Sequence, residues 1–122
     1  MDVNAIIEYI KKYKGMKYTR YDKKNNIMTA EEPFWVSNSP PPPFQEVYNK
    51  GSTCVGLINI VRRHIGLTVP GINQNYEIPG GTEAWFQYLS DNNRLVKIDL
   101  TKSYPLGTLL VQDFNEFDQG HV

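Results

Sequence analysis

A single thiol, Cys54, opens the apolar run CVGLINIVRRHI after Ser52 and Thr53, and two histidines, His64 and His121, lie downstream of it. A thiol attacks a carbonyl carbon only as thiolate, and the unpaired amides and dipole of a helix start favour that charge. One cysteine at such a position, with a histidine elsewhere in the chain, is the minimum equipment for nucleophilic catalysis. The helix alone leaves a second reading open, since a free cysteine also serves as a small buried core residue. His64 sits ten residues further along the same helix, about 15 Å away by the helical rise, and cannot reach the sulfur. It acts at most as a cation at the helix end. His121 follows Gly120, and a chain returning across a sheet can bring it beside the helix start. A surface histidine after a glycine turn is the competing account of His121.

The elements that must position these groups are marked in the sequence. Val3, Ile6, Ile7, Ile10 and Tyr13 fall at three- and four-residue spacings, which predicts an amphipathic helix over 2–14 that Gly15 ends. Residues 54–65 are apolar around most of the helix circumference and predict a buried central helix carrying Leu57, Ile58, Ile60, Val61 and Ile65. Ser52 and Thr53 are both suitable caps, Arg62, Arg63 and His64 complement the far end, and Gly66 and Pro70 stop it. A shorter helix is expected from Thr82, as cap, to about Ser90, with Trp85, Phe86 and Leu89 inward. Alternation over Leu95–Leu100 and the run Thr108–Val111 predict two strands around the turn at Pro105, and His121 with Val122 opens a third. Helices first and antiparallel strands after define an α+β class.

Between Tyr18 and Gly51 the periodicity is lost, and residues 22–50 are expected to be an irregular, proline-rich insertion holding Pro40–Pro43. A tetraproline is either a ligand for aromatic-grooved protein partners or a stiff spacer crossing the surface. Phe34, Trp35, Phe44 and Tyr48 either line a cleft or pin the loop to the core.

Five segments follow one another in a telling order: Gly15-Met16-Lys17-Tyr18, Thr53-Cys54-Val55-Gly56-Leu57, His64 to Pro70, Pro105 to Val111, and Gly120-His121-Val122. Together they resemble the successive motifs of NlpC-type peptidases, compact papain-like enzymes that cut peptide bonds in bacterial cell-wall stems. The resemblance spans nearly all of the chain outside residues 22–50. It implies a papain-like core in which the Cys54 helix packs on an antiparallel sheet bearing His121. It implies acyl transfer, with Cys54 as nucleophile, His121 as base, and Tyr18 and Thr53 in the substrate and oxyanion region. The match is divergent. Thr53 and Val55 stand where the family carries Asp and Ser, and Gly107-Thr108 stands where it carries Gly-Asp. The family's histidine-orienting residue falls beyond Val122, so a truncated or processed form is expected, with Asp113 or Asn115 as the alternative orienting group.

The composition narrows the remaining classes. The 122 residues, 40% hydrophobic and 21% charged, are expected to form one domain. Thirteen basic residues balance thirteen acidic ones, which argues against a nucleic-acid binder, because that work needs a basic excess on one face. Lys11, Lys12, Lys14 and Lys17 cluster at the first helix and its exit, where a solvated face accounts for them. No apolar run is long enough to span a membrane, and the amino terminus has neither the charge order nor the apolar stretch of a secretory signal. The expected location is therefore the cytoplasm, or a host cell if the protein is of phage or viral origin. One cysteine and two distant histidines do not make a zinc site, and neither metal nor cofactor is expected. The sequence points to a cysteine hydrolase acting on a peptide or other amide, with a catalytically silent binding or structural module as the alternative.

Overall fold

The computed structural model describes residues 2–18, 40–76 and 80–112. Four helices are present among them: α1 (Val3–Lys11), α2 (Phe44–Lys50), α3 (Cys54–His64) and α4 (Thr82–Asp91). Asp2 caps α1 by accepting a hydrogen bond from the Asn4 amide at 2.9 Å, which satisfies one of the donors a helix start leaves open. After α1 the chain turns at Gly15, whose φ of 87° belongs to the left-handed region that favours glycine. A side chain there would also meet the Tyr48 hydroxyl at 3.0 Å. Gly51, at φ 83°, ends α2 in the same way and redirects the chain into α3.

α3 stands between two apolar clusters. On one side, Ile60 meets Tyr13 and Val47, with Tyr9, Met16, Phe44, Tyr48 and Leu57 packed around them. On the other, Val55 meets Val69 and Trp85, with Cys54, Ile58, Ile72 and Leu89 around them. The most deeply placed residue of α3 besides Ile60 is polar. Asn59 is fully buried; its Nδ2 donates to the Gly80 carbonyl at 2.8 Å, and its Oδ1 accepts from the Trp85 indole at 2.7 Å. A buried carboxamide is tolerated because both ends are paired. The start of α4 is thereby tied to the middle of α3. Gly80 is fixed a second time, since its amide donates to the Pro70 carbonyl at 2.7 Å.

Three sequence expectations are corrected. The α+β, papain-like class fails, because the described residues form helices and no strand or sheet. Between described residues, extended pairing takes the form of an isolated parallel bridge joining Tyr18 to Ser52. The segments expected to be strands, Leu95–Leu100 and Thr108–Val111, run without a ladder. The cause is local. Asp99 Oδ1 accepts from both the amide and the hydroxyl of Thr101, at 3.0 and 2.7 Å, and the Lys102 amide bonds back to the Asp99 carbonyl. Side chain to backbone bonds of this kind draw the main chain away from a ladder. With no sheet beneath them, Val96 and Leu100 are 77% and 88% exposed. The third expected strand, at His121 and Val122, lies outside the described residues.

The second correction is that part of the stretch expected to be irregular is helical. Phe44–Lys50 forms α2, preceded by Pro43, whose missing N–H costs a helix start nothing. The third concerns α4, which begins at Thr82 with Gly81 as its cap, so the threonine is inside the helix rather than before it.

The clamp and the exposed segment predict opposite outcomes. Asn59→Ala leaves the Trp85 N–H and Gly80 carbonyl unpaired in the interior and is expected to cost about 3 kcal/mol. Val96→Lys is expected to change stability by less than about 0.5 kcal/mol. Urea unfolding of both variants checks the pair, and an Asn59→Ala loss below about 1 kcal/mol contradicts the assignment.

Candidate functional site

Cys54 is the first residue of α3, and its position follows from the three residues before it. Gly51 turns the chain out of α2. Ser52 then pairs with the 17–18 backbone, its amide donating to the Lys17 carbonyl at 3.3 Å. Thr53, extended at φ −85° and ψ 178°, caps α3 through its Oγ1, which accepts from the Gly56 amide at 3.2 Å. The helix itself offers no acceptor to the Cys54 and Val55 amides, so the positive end of its dipole lies at the thiol. Cys54 is half-buried, and it packs against the cluster of Val55, Val69 and Trp85.

Of the residues singled out in the sequence, the structure brings Tyr18, Thr53 and Cys54 to one place. Tyr18 reaches it through its backbone pairing with Ser52, and its side chain is 58% exposed. His121 lies outside the described residues. His64 ends α3, at the other pole of the helix from Cys54, where its ring lies 4.8 Å from that of Tyr9. Burial against that ring holds the imidazole below its ordinary 6.5; a hydrogen bond to the Pro42 backbone opposes this, and the Arg63 charge adds to it. The expected helix-end cation is thus disfavoured by its surroundings.

The basic residues beside it are also engaged. The Arg62 guanidinium lies 5.4 Å from the Trp85 ring centre and 5.5 Å from that of Tyr88, and its Nε donates to the Thr68 carbonyl. The buried Arg63 donates from Nη2 to the Pro40 carbonyl at 3.2 Å, and burial lowers its pKa. Pro40–Pro43 is therefore held against the C-terminal pole of α3. A groove of about 290 Å³ runs between α1 and α3, lined by Asp2, Ile6, Tyr9, His64 and Ile65 among others, and Cys54 is not part of it. It is an open furrow between helices, whereas the groups suited to chemistry gather at the α3 start. Among the described residues, no three His, Cys, Asp or Glu side chains come together as a metal site.

Two features of this site escape a reading by residue type. Ser52 is 2% exposed, and its buried Oγ meets no hydrogen-bonding partner among the described residues. Nothing in the sequence separates that serine from an ordinary capping residue. Asn59 carries no sequence signal either, because an asparagine within an apolar helix reads as a surface position.

Compared with known proteins, the chain matches no family model, and no curated protein or solved structure is significantly similar to it. No described helix is long and apolar enough to cross a membrane.

The His64 environment predicts a pH dependence. With the folded value below 6.5, the unfolded chain binds more protons between the two values, so stability rises with pH through that window and is complete above it. The imidazole is exposed enough for solvent screening to keep the effect small. Thermal midpoints between pH 5 and 8 are expected to climb in the native chain, with a shallower climb in His64→Gln. An equal climb in both would assign the dependence to other groups.

Proposed function

We propose that the chain is a thiol hydrolase that cleaves an amide bond through Cys54, with His121 as proton carrier. The observation that carries this is the location of the thiol. Cys54 is the first residue of an eleven-residue helix, capped by Thr53, with Tyr18 tethered two residues upstream. No sheet stands behind that helix among the described residues, so the proposal rests on the helix start and not on the α+β architecture first expected.

In this reaction the Cys54 thiolate adds to the carbonyl carbon of the substrate, and the charge passes to the carbonyl oxygen. The Cys54 amide stabilises that oxyanion, with Tyr18 and Thr53 beside it in the substrate region. His121 takes the thiol proton and delivers it to the leaving amine as the carbon–nitrogen bond breaks. Water then attacks the thioester, His121 accepting its proton, and returns the thiol and a carboxylic acid. The role of His121 and the preference for peptidoglycan stem peptides come from the resemblance to NlpC-type enzymes. The Thr53 and Val55 neighbours of the thiol widen the substrate class to amides in general. The location that suits such an enzyme is the cytoplasm, or a host cell entered by a phage or virus.

A second reading, a catalytically silent binding or structural module, is favoured by the exposed apolar residues Val96, Leu100, Leu106 and Leu110. In that case Pro40–Pro43 and this segment form the contact surface for a protein partner.

Incubation of the full chain with purified peptidoglycan fragments and with model peptide amides, scored by release of new amino groups, separates the two. Activity is expected in the native chain, with a loss of about a thousandfold or more in Cys54→Ala and in His121→Ala. Undiminished activity in Cys54→Ala would refute the mechanism. No turnover, together with iodoacetamide labelling at pH 7 no faster in the folded chain than in the urea-unfolded chain, would favour the module.

A further inference from the structure

We infer that Ser52 is a positioning residue for Cys54, its hydroxyl donating a hydrogen bond to the Cys54 Sγ when that sulfur carries charge. The inference deepens the proposed nucleophilic role of Cys54 and rests on that reading.

Two independent features meet at this point. One is a thiol at the positive end of α3. The other is a serine hydroxyl, 98% withdrawn from solvent by its 2% exposure, with no hydrogen-bonding partner among the described residues. A desolvated hydroxyl left unpaired opposes folding by about 1–3 kcal/mol, a cost that a state in which it is paired would remove. Its surroundings indicate which state. The chain between the two residues is extended at Thr53, and alternate residues of an extended chain leave it on the same side, their Cα atoms about 7 Å apart. In the structure the Ser52 hydroxyl makes no bond to the Cys54 sulfur, so the inferred pairing forms by rotation about the Ser52 and Cys54 χ1 angles, each among three staggered wells.

The hydroxyl does not hold Ser52 in place. The backbone does so, through the bond to Lys17 and the bridge to Tyr18. The side chain is therefore free to serve a purpose other than folding. A neutral thiol is a weak acceptor and gives the hydroxyl little to pair with, whereas a thiolate is a strong one. Cys54 packs against Val55, Val69 and Trp85, apolar groups that offer an anion nothing. The helix amides approach along the axis of α3, and Ser52 supplies a donor from the strand-like approach to it.

Ser52→Ala in the full chain tests this, because a merely structural role and a positioning role move different readouts. The thiolate fraction at pH 7 is read as the iodoacetamide alkylation rate divided by its plateau at high pH. It is expected to fall about tenfold in Ser52→Ala, as loss of a hydrogen bond to a charged group implies. The thermal midpoint is expected to stay level or rise, since an unpaired buried hydroxyl has been removed. A thiolate fraction within twofold of the native chain overturns the inference, and so does a large drop in thermal midpoint, which would make the hydroxyl a structural group. The native chain measured folded and in urea reports separately on the nucleophile. Equal thiolate fractions there defeat the hydrolase reading, while the comparison of Ser52→Ala with native still decides the role of Ser52.

Discussion

The carboxamide of Asn59 governs the interior. It occupies a position in α3 that an aliphatic residue would fill just as well by volume. What an aliphatic residue lacks is direction. One amide holds the Trp85 indole from α4 and the Gly80 carbonyl from the preceding loop, so it fixes where α4 starts and which way its largest side chain points. Burying such a group brings little net stability, but leaving either end unpaired is expensive, and that asymmetry penalises other packings of α4. The consequence reaches the thiol, because Trp85 is one wall of the cluster against which Cys54 packs. The clamp and the candidate site therefore share a boundary.

The two poles of α3 are used differently. At the C-terminal pole the basic side chains are committed to the fold. Arg62 lies over two aromatic rings, Arg63 binds the Pro40 carbonyl, and His64 stacks beside Tyr9. Contacts of this kind are worth about 0.5–2 kcal/mol each when partly desolvated, and they leave that pole organised around the polyproline segment. At the N-terminal pole the cap is short and polar, the thiol is half-exposed, and the neighbouring serine hydroxyl has no hydrogen-bonding partner among the described residues. Among the described residues, α3 is thus engaged at its far end and keeps an unpaired polar group at its near end.

What was legible in the sequence follows the same division. The bounds of α1, α3 and α4 were visible within a few residues, because apolar spacing, caps and stop residues act locally and agree with one another. Cys54 at a helix start and Thr53 as its cap were legible for that reason. The depth of Asn59 was not, since its burial depends on two partners 21 and 26 residues away that no local pattern announces. The Ser52 hydroxyl was invisible because a capping serine and an orphaned one look alike until their neighbours are placed. α2 was hidden behind four prolines, although the last of them is well suited to precede a helix.

The strands mark the other limit. Alternation at Leu95–Leu100 states that a strand would have one apolar face; it does not supply the neighbour that would complete the ladder. In that segment Asp99 closes a turn with Thr101, and its carboxyl is held below its usual range by those same bonds. The local bonds prevail where no sheet competes for the backbone. The chemistry proposed for the thiol is affected directly. A sheet would carry a base to the helix start on a rigid ladder; among the described residues, what is anchored there is the Tyr18–Ser52 pairing and the cap. Under the proposed chemistry, the Thr53 cap and the Ser52 hydroxyl are the groups nearest Cys54 along the chain, among the described residues, that are placed to meet its charge.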